Sequence, residues 1–367
     1  MAVSRPRAAA LGLGVVLSGC NLLELGPASK ITTTEIIATR VRVVELGPLD
    51  PERVYIPSVA PVAELLPGDR VRAELVVVDP EGLPLATDEL DSIWLARGRD
   101  NPGLHDPVFD VRCEELDDWT MDSDCRLGEG RSAIEFTVPP LAEDALAYAG
   151  FRLNAVVAWN GERAENCWAT RRAREVIPPD CGFIEFNCAV GPIWWLQAYA
   201  RSQGLPPTVP PDLFPAPIYG QQANRPPVVE HIEVEVDGEI RDPLVVPAGG
   251  VAGPVHVEAG DSVKLLFTVD PLEQLAQVFY VPLGQLTGAP LNAFTVGFES
   301  VWVRVSTSAS IEYEEPENEG GPVKTDSDSP IVLHVDEEAR AGTARVVVVV
   351  NDRRGAEEVY WVELEVQ

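Results

Sequence analysis

The chain has 367 residues, 46% of them hydrophobic, with 28 Lys and Arg against 58 Asp and Glu for a formal charge of −30. That length and apolar content suit about two folded domains of ~150 residues, each able to bury a core. So large a carboxylate surplus argues against binding nucleic acid or anionic lipid headgroups through surface charge, because phosphate recognition needs clustered Lys and Arg. It leaves cations, basic partners and solubility.

The first element is short and apolar. Arg5 and Arg7 precede a stretch from Ala8 to Leu17, which closes on Ser18-Gly19-Cys20. This order is that of a secretory signal with a small-residue cleavage site. The run is too short for the ~20 residues a membrane helix needs, and no later run approaches that length. Leu17-Ser18-Gly19-Cys20 resembles the lipobox of bacterial lipoproteins. The resemblance implies that residues 1–19 are removed, that Cys20 is thioether-linked to diacylglycerol, and that the new N-terminus is acylated, for example with palmitate. Several acyl chains on one residue anchor stably, because each buried CH₂ contributes about 0.8 kcal/mol. Asn21, where an aspartate would favour inner-membrane retention, points by the same resemblance to the outer membrane. The mature chain would have 348 residues and a charge of −32, with residues 20–37 as a tether.

From residue 38 the sequence alternates. After "TRVRVVEL" (39–46) comes "PGDRVRAELVVVDPEG" (67–82), in which Val71, Ala73, Leu75 and Val77 face one way and Arg70, Arg72 and Glu74 the other. Period-two alternation closed by a proline turn predicts a half-buried strand. The order continues through "SIWLARG" (92–98), "SAIEFTV" (132–138), "FRLNAVVAWNGER" (151–163) and a closing strand "NCWATRRAREV" (166–176). Residues 177–226 differ: a cysteine-held loop "PPDCGFIEFNCAVG", a short helix "PIWWLQAYARSQG" bounded by Pro192 and Gly204, and a proline-dense spacer.

The first pattern then recurs. "AGDSVKLLFTVDPLEQ" (259–274) repeats Gly-Asp-x-Val, alternation and Asp-Pro, with Val263, Leu265, Phe267 and Val269 on one face. It lies between "VVEHIEVEV" (228–236) and "SVWVRVSTS" (300–308), and "PIVLHV" (330–335), "TARVVVVVNDRRG" (343–355) and "EEVYWVELEV" (357–366) follow. An apolar segment, 273–298, is inserted before the Trp302 strand. Short strands between Gly, Pro and Asp turns predict an all-β fold of two sandwiches. The order of these strands, with Trp94 or Trp302 on the long strand after the Gly-Asp strand, resembles the immunoglobulin-like domains of bacterial surface proteins. The resemblance implies Ig-like domains at 38–176 and 227–367, without the cysteine pair that flanks the tryptophan in antibody domains.

Candidate sites are few. Beyond Cys20 lie Cys113, Cys125, Cys167, Cys181 and Cys188, and export favours disulfides. Five cysteines leave one outside two bridges. The preferred pairing is Cys113 with Cys125 across an acidic loop, plus one pair among the other three. No C-x-x-C spacing supports zinc. In that loop Asp117, Asp118, Asp122 and Asp124 cluster oxygen ligands of the kind calcium takes, without the D-x-D-x-D-G spacing. Trp194, Trp195 and Tyr199 would stack sugar rings or anchor a partner, or plug a sandwich end. In the valine run, Val346, Val348 and Val350 oppose Arg345, Val347 and Val349, so part of both strand faces is apolar and suits an inter-domain contact or a partner.

The four histidines are scattered, and neither a G-x-S-x-G elbow nor a Gly-rich loop opening a helix is present. The expectation is a protein that is not an enzyme and needs no cofactor. It would be lipid-anchored at the envelope in an adhesive, scaffolding or assembly role, with an envelope protein or glycan as partner. The alternative is a lipoprotein that captures a glycan or calcium.

Overall fold

The computed structural model describes residues 29–47, 65, 68–98, 106–121, 123–140, 150–189, 226–246, 250–269, 279–282, 294–297, 302–308, 310–314, 330–351 and 356–367. Among the described residues the chain is all-β apart from one α-helix and short 3-10 turns. Its first half holds β1 (Ser29–Lys30), β2 (Glu35–Glu45), β3 (Arg70–Val78), β4 (Asp91–Arg97), β5 (Cys125–Gly130), β6 (Ala133–Thr137), β7 (Gly150–Ala158), α1 (Ala164–Ala173) and β8 (Cys181–Ala189). A sheet of order β2-β3-β6 faces one of order β5-β4-β7-β8. Val71, Ala73, Leu75 and Val77 of β3 point into the space between them, as their alternation predicts, and meet Trp94, Phe151, Leu153 and Phe186 from the opposite sheet. Trp94 is fully buried, donates from Nε1 to Ser92 Oγ at 2.8 Å and meets Phe186 edge-on, with ring centroids 6.1 Å apart.

The second half holds β9 (Val229–Val236), β10 (Glu239–Ile240), β11 (Leu244–Val245), β12 (Val251–Val257), β13 (Ser262–Val269), β14 (Phe279–Pro282), β15 (Phe294–Gly297), β16 (Trp302–Thr307), β17 (Ile311–Tyr313), β18 (Ile331–Val335), β19 (Gly342–Asn351) and β20 (Glu357–Val366). One sheet runs β10-β9-β13-β18-β17, and the other β1-β16-β19-β20-β12. Between them lies a second core that includes Val263, Leu265 and Phe267 of β13 and Val346, Val348 and Val350 of β19. The order β9-β13-β18-β17 against β16-β19-β20 is the ABED-against-CFG arrangement of an immunoglobulin sandwich. In both halves the Gly-Asp strand holds the same place: β3 lies between β2 and β6, and β13 between β9 and β18. The sequence repeat is therefore a repeat of topology. Within the inserted segment 273–298, β14 and β15 pair antiparallel as a hairpin.

Three expectations fail here. Residues 164–173, read as part of a closing strand, form α1, because Ala164, Cys167 and Trp168 recur at helical spacing and are buried together against β4 and β7. The closing strand is β8, from the segment read as a loop; it pairs antiparallel with β7 from Gly150↔Ala189 to Ala158↔Cys181. Residues 29–30, assigned to the tether, form an edge strand parallel to β16 of the second sandwich. The helix and spacer expected at 192–225 lie outside the described residues. Among the described residues no helix is long and apolar enough to cross a membrane.

Candidate functional site

The two sandwiches pack face to face. The outer face of β2 and β3 presents Ile37, Ala38, Val76 and Val78; the outer face of β19 and β20 presents Val347, Val349, Val359 and Trp361; Ile31 joins them, and all nine are buried. This contact explains the valine run. Where β19 and β20 cross this seam neither strand face meets solvent, so both sets of β19 valines are covered. The sheets thus stack in four layers, with α1 outside the fourth.

Beside the apolar seam lies a cluster of six charges, three of each sign, drawn from both sandwiches. β2 contributes Glu35, Arg40 and Arg42; β16 contributes Arg304; β20 contributes Glu357 and Glu358. Arg42 donates to the backbone carbonyl of Glu357 at 2.7 Å and to Glu358 Oε2 at 2.9 Å. Arg40 lies 2.9 Å from Glu358 and over the ring of Trp361, 6.0 Å from its centroid. Arg304 donates to the carbonyl of Ile37, and Glu357 accepts from the amide of Thr39 at 3.1 Å. Burial raises the Glu357 carboxyl above its ordinary range, against the opposing pull of Arg304 and the Thr39 amide. Burial likewise raises Glu35 and lowers Arg42 and Arg304. Burying charges is costly unless they are paired and hydrogen-bonded, so this arrangement holds only in one register of the two sheets. Its chemistry is positional: it fixes how one sandwich sits on the other.

A second constellation caps the far layer. The bridge Cys167–Cys181 ties α1 to β8, and Cys113–Cys125 ties a 3-10 turn to β5. Cys188 is buried in the first core, outside both bridges. Trp168, buried, lies between the guanidinium groups of Arg126 and Arg172 at 5.1 and 5.2 Å. Arg172 forms a two-pronged pair with Asp110 at 2.5 and 3.0 Å, which holds that carboxyl below its usual range. Arg126 reaches Glu165 and Glu129 at 2.5 and 2.9 Å.

Three of the four aspartates read as calcium ligands lie among the described residues. Asp117 and Asp118 are exposed, and Asp124 accepts the Gly98 amide at 2.8 Å, so its carboxylate braces the loop. Asp122 lies outside the described residues. Among the described residues no three His, Cys, Asp or Glu side chains gather as metal ligands. His231 on β9, His256 on β12 and His334 on β18 lie apart, each beside a single glutamate. Cys20, Trp194, Trp195 and Tyr199 lie outside the described residues. Sequence reasoning missed the ionic seam. Its only trace is that Arg40 and Arg42 alternate with Val41 and Val43, which looks like an ordinary wet strand face.

No protein-family model and no curated protein matches this chain. Among solved structures, a type I cohesin–dockerin complex from Clostridium thermocellum aligns with 37% of this chain and 99% of its own, at 14% identity and a TM-score of 0.17. The fibronectin(III)-like modules of Clostridium thermocellum CbhA align over 90% of this chain and 94% of theirs, at 10% identity and a TM-score of 0.18. Salmonella alpha-2-macroglobulin aligns over 89% of this chain and 16% of its own, at 10% identity and a TM-score of 0.20. At these scores the likenesses carry no argument, and the fold rests on the strand order above.

Proposed function

We propose that this is an exported lipoprotein, held at the envelope by acylated Cys20, with the outer membrane favoured, and that its role is adhesive, scaffolding or assembly without catalysis. The observation that carries the reading is the seam. It commits one face of each sandwich to the other and leaves edges, loops and the remaining outer faces as contact surface, which suits holding partners in a fixed relation. The lipobox-like start supports the location. The acidic surface suits a basic or cation-bridged envelope protein over nucleic acid.

The test is crosslinking and pull-down of the native anchored protein beside a Cys20→Ser form. Wild type pelleting with membranes together with a recurrent envelope partner, while Cys20→Ser is released or mis-sorted, supports the reading. Equal solubility of the two forms overturns the location. Saturable binding to a glycan array, or heat on titration with calcium, would instead assign a ligand-capturing lipoprotein.

A further inference from the structure

At Asp237-Gly238 the chain turns back along β9. Both residues adopt positive φ, 48° and 83°, as in the two-residue hairpin turn that favours Asp-Gly. The returning segment pairs with β9 at two places: β10 lies opposite Val236 and Glu235, and β11 opposite Ile232 and His231, with Asp242 and Pro243 between them. Among the described residues no strand pairs with β10 or β11 on the side away from β9, so the segment is a sheet edge. The Arg241 amide donates to the Val234 carbonyl at 2.8 Å, which turns Arg241 toward β9. Ile232, two residues from Val234, faces the same way, and Leu244 is its partner. Backbone groups alternate in direction along an antiparallel strand, so the N–H and C=O of Ile240 and Val245 point outward.

The side chains at those two positions are also open. Ile240 is 84% exposed and Val245 79%. Ile240 lies opposite Glu235 and Val245 opposite His231, which places both on the outer face of the sheet. Natural edges are blunted by lysine, proline or a bulge; here Pro243 interrupts the edge and leaves both β-branched side chains in solvent. The charge around them is one-sided. Residues 228–246 hold Glu230, Glu233, Glu235, Asp237, Glu239 and Asp242 against a single Lys or Arg, Arg241. Arg241 answers Glu239 at 3.3 Å, and Lys264 on β13 answers Glu235 at 2.6 Å, so a surplus of carboxylates remains.

Resting on the reading that an envelope protein is the partner, we infer that this edge takes an extended strand of that protein, in which Lys or Arg alternates with apolar, β-branched residues. Main-chain bonds to Ile240 and Val245 add it to the sheet as a further strand. Successive side chains of the incoming strand point to opposite faces. Its apolar set lies beside Ile240 and Val245, and its basic set answers the surplus carboxylates, beginning with Glu239 on the opposite face. An acidic strand is disfavoured there by like charge.

The test titrates the full-length chain with a short capped peptide of alternating lysine and valine at physiological ionic strength, followed by amide hydrogen exchange. The expected result is saturable binding that slows exchange at Ile240 and Val245, with weaker binding of a lysine-glycine peptide of equal charge. Val245→Pro deletes one outward amide and no bond to β9, and should weaken binding several-fold, up to about tenfold. Should Val245→Pro fail to fold, Ile240→Lys, at a side chain already in solvent, must weaken binding by repelling the peptide. No binding, binding that leaves both amides unchanged, or equal binding of the glycine peptide overturns the inference. In the native anchored protein, loss of the crosslinked envelope partner from Val245→Pro while it still pellets with membranes supports the edge as the partner's site. Equal capture by wild type and Val245→Pro overturns the edge and leaves the proposed function standing. Capture of no envelope partner by either form overturns the proposed role, and the exchange data still decide the edge.

Discussion

The backbone amide of Thr39 donates to Oε2 of Glu357 at 3.1 Å, joining residues 318 positions apart inside the seam between two sandwiches. Glu357 is 2% exposed, and the nearby Arg304 and Arg42 guanidinium groups oppose the cost of burying its charge. Removing one member of a buried pair strands the other, at a cost of about 3–5 kcal/mol. Glu357→Ala is therefore expected to lower stability by about that amount, and to split one denaturation transition into two as the sandwiches uncouple. The double change Glu357→Met with Arg304→Met should recover most of the loss, because apolar pairs of similar volume replace buried ion pairs at little cost. Guanidinium unfolding followed by tryptophan fluorescence reads both outcomes.

The seam also sets a pH dependence of unusual sign for carboxylates. Burial raises Glu357 and Glu35 above the ordinary 4.5. A folded-state value above the unfolded one means that the native state binds the proton more tightly, so this contribution is complete below about 4.5 and is lost as pH rises through the raised value. Glu357→Gln, which mimics the protonated acid, should gain on wild type as pH climbs from 4.5 toward neutrality. Thermal melts of both proteins across that range measure the difference. A gap that stays constant with pH would show that Glu357 does not titrate within the range.

Tyr360 gives a matching test on the alkaline side. Its hydroxyl accepts from the Val229 amide and donates to the Pro227 carbonyl, both at 3.1 Å, pinning the entry of β9 to β20. Tyr360→Phe leaves two buried backbone groups without that partner and should cost about 1–3 kcal/mol. Burial raises the phenol from 10.0 to about 12. Its contribution is thus complete below 10 and lost as pH rises through about 12. Wild type should weaken over that interval more steeply than the Phe variant, as read by circular dichroism.

The α1 cap depends on its bridge. Cys167 and Cys181 close a loop with a sequence separation of 14, for which the chain-entropy contribution is about 3 kcal/mol. The Cys167→Ser, Cys181→Ser double variant should lose roughly that much stability. Trp168, held between Arg126 and Arg172, should then red-shift in emission as α1 loosens. The sandwich core around Trp94 stays closed, because its side chains come from the two sheets and not from α1.

Strand β3 shows most plainly how a wet face makes a strand legible in sequence. Val71, Ala73, Leu75 and Val77 alternate with Arg70, Arg72 and Glu74 because the outer face of β3 near its start meets solvent and surface ion pairs. The helix was hidden by its approach. Asn160 and Gly161 adopt positive φ values of 55° and 81°, the signature of a hairpin turn, and so promise a strand next. The i, i+3, i+4 spacing of Ala164, Cys167 and Trp168 was the competing signal. In β8 the inward set Ile184, Phe186 and Cys188 does alternate with Glu185, but cysteines at both ends suggested a tied loop. The seam could not be read at all. Arg304 and Glu357 lie on separate strands of the second sandwich and meet β2 from the first, a pairing of positions that no local pattern encodes.

The stretch of β19 and β20 that is covered on both sides has a consequence for how such a chain can change over time. A domain that is lost, duplicated or moved between proteins must present a wettable exterior when it arrives alone. Here Val347, Val349, Val359 and Trp361 would be bared by removal of the first half, and Ile37, Val76 and Val78 by removal of the second. Neither sandwich is a free module. The pair travels through synthesis and inheritance as one piece, and a truncation at the middle of the chain should yield two sticky fragments in place of two domains.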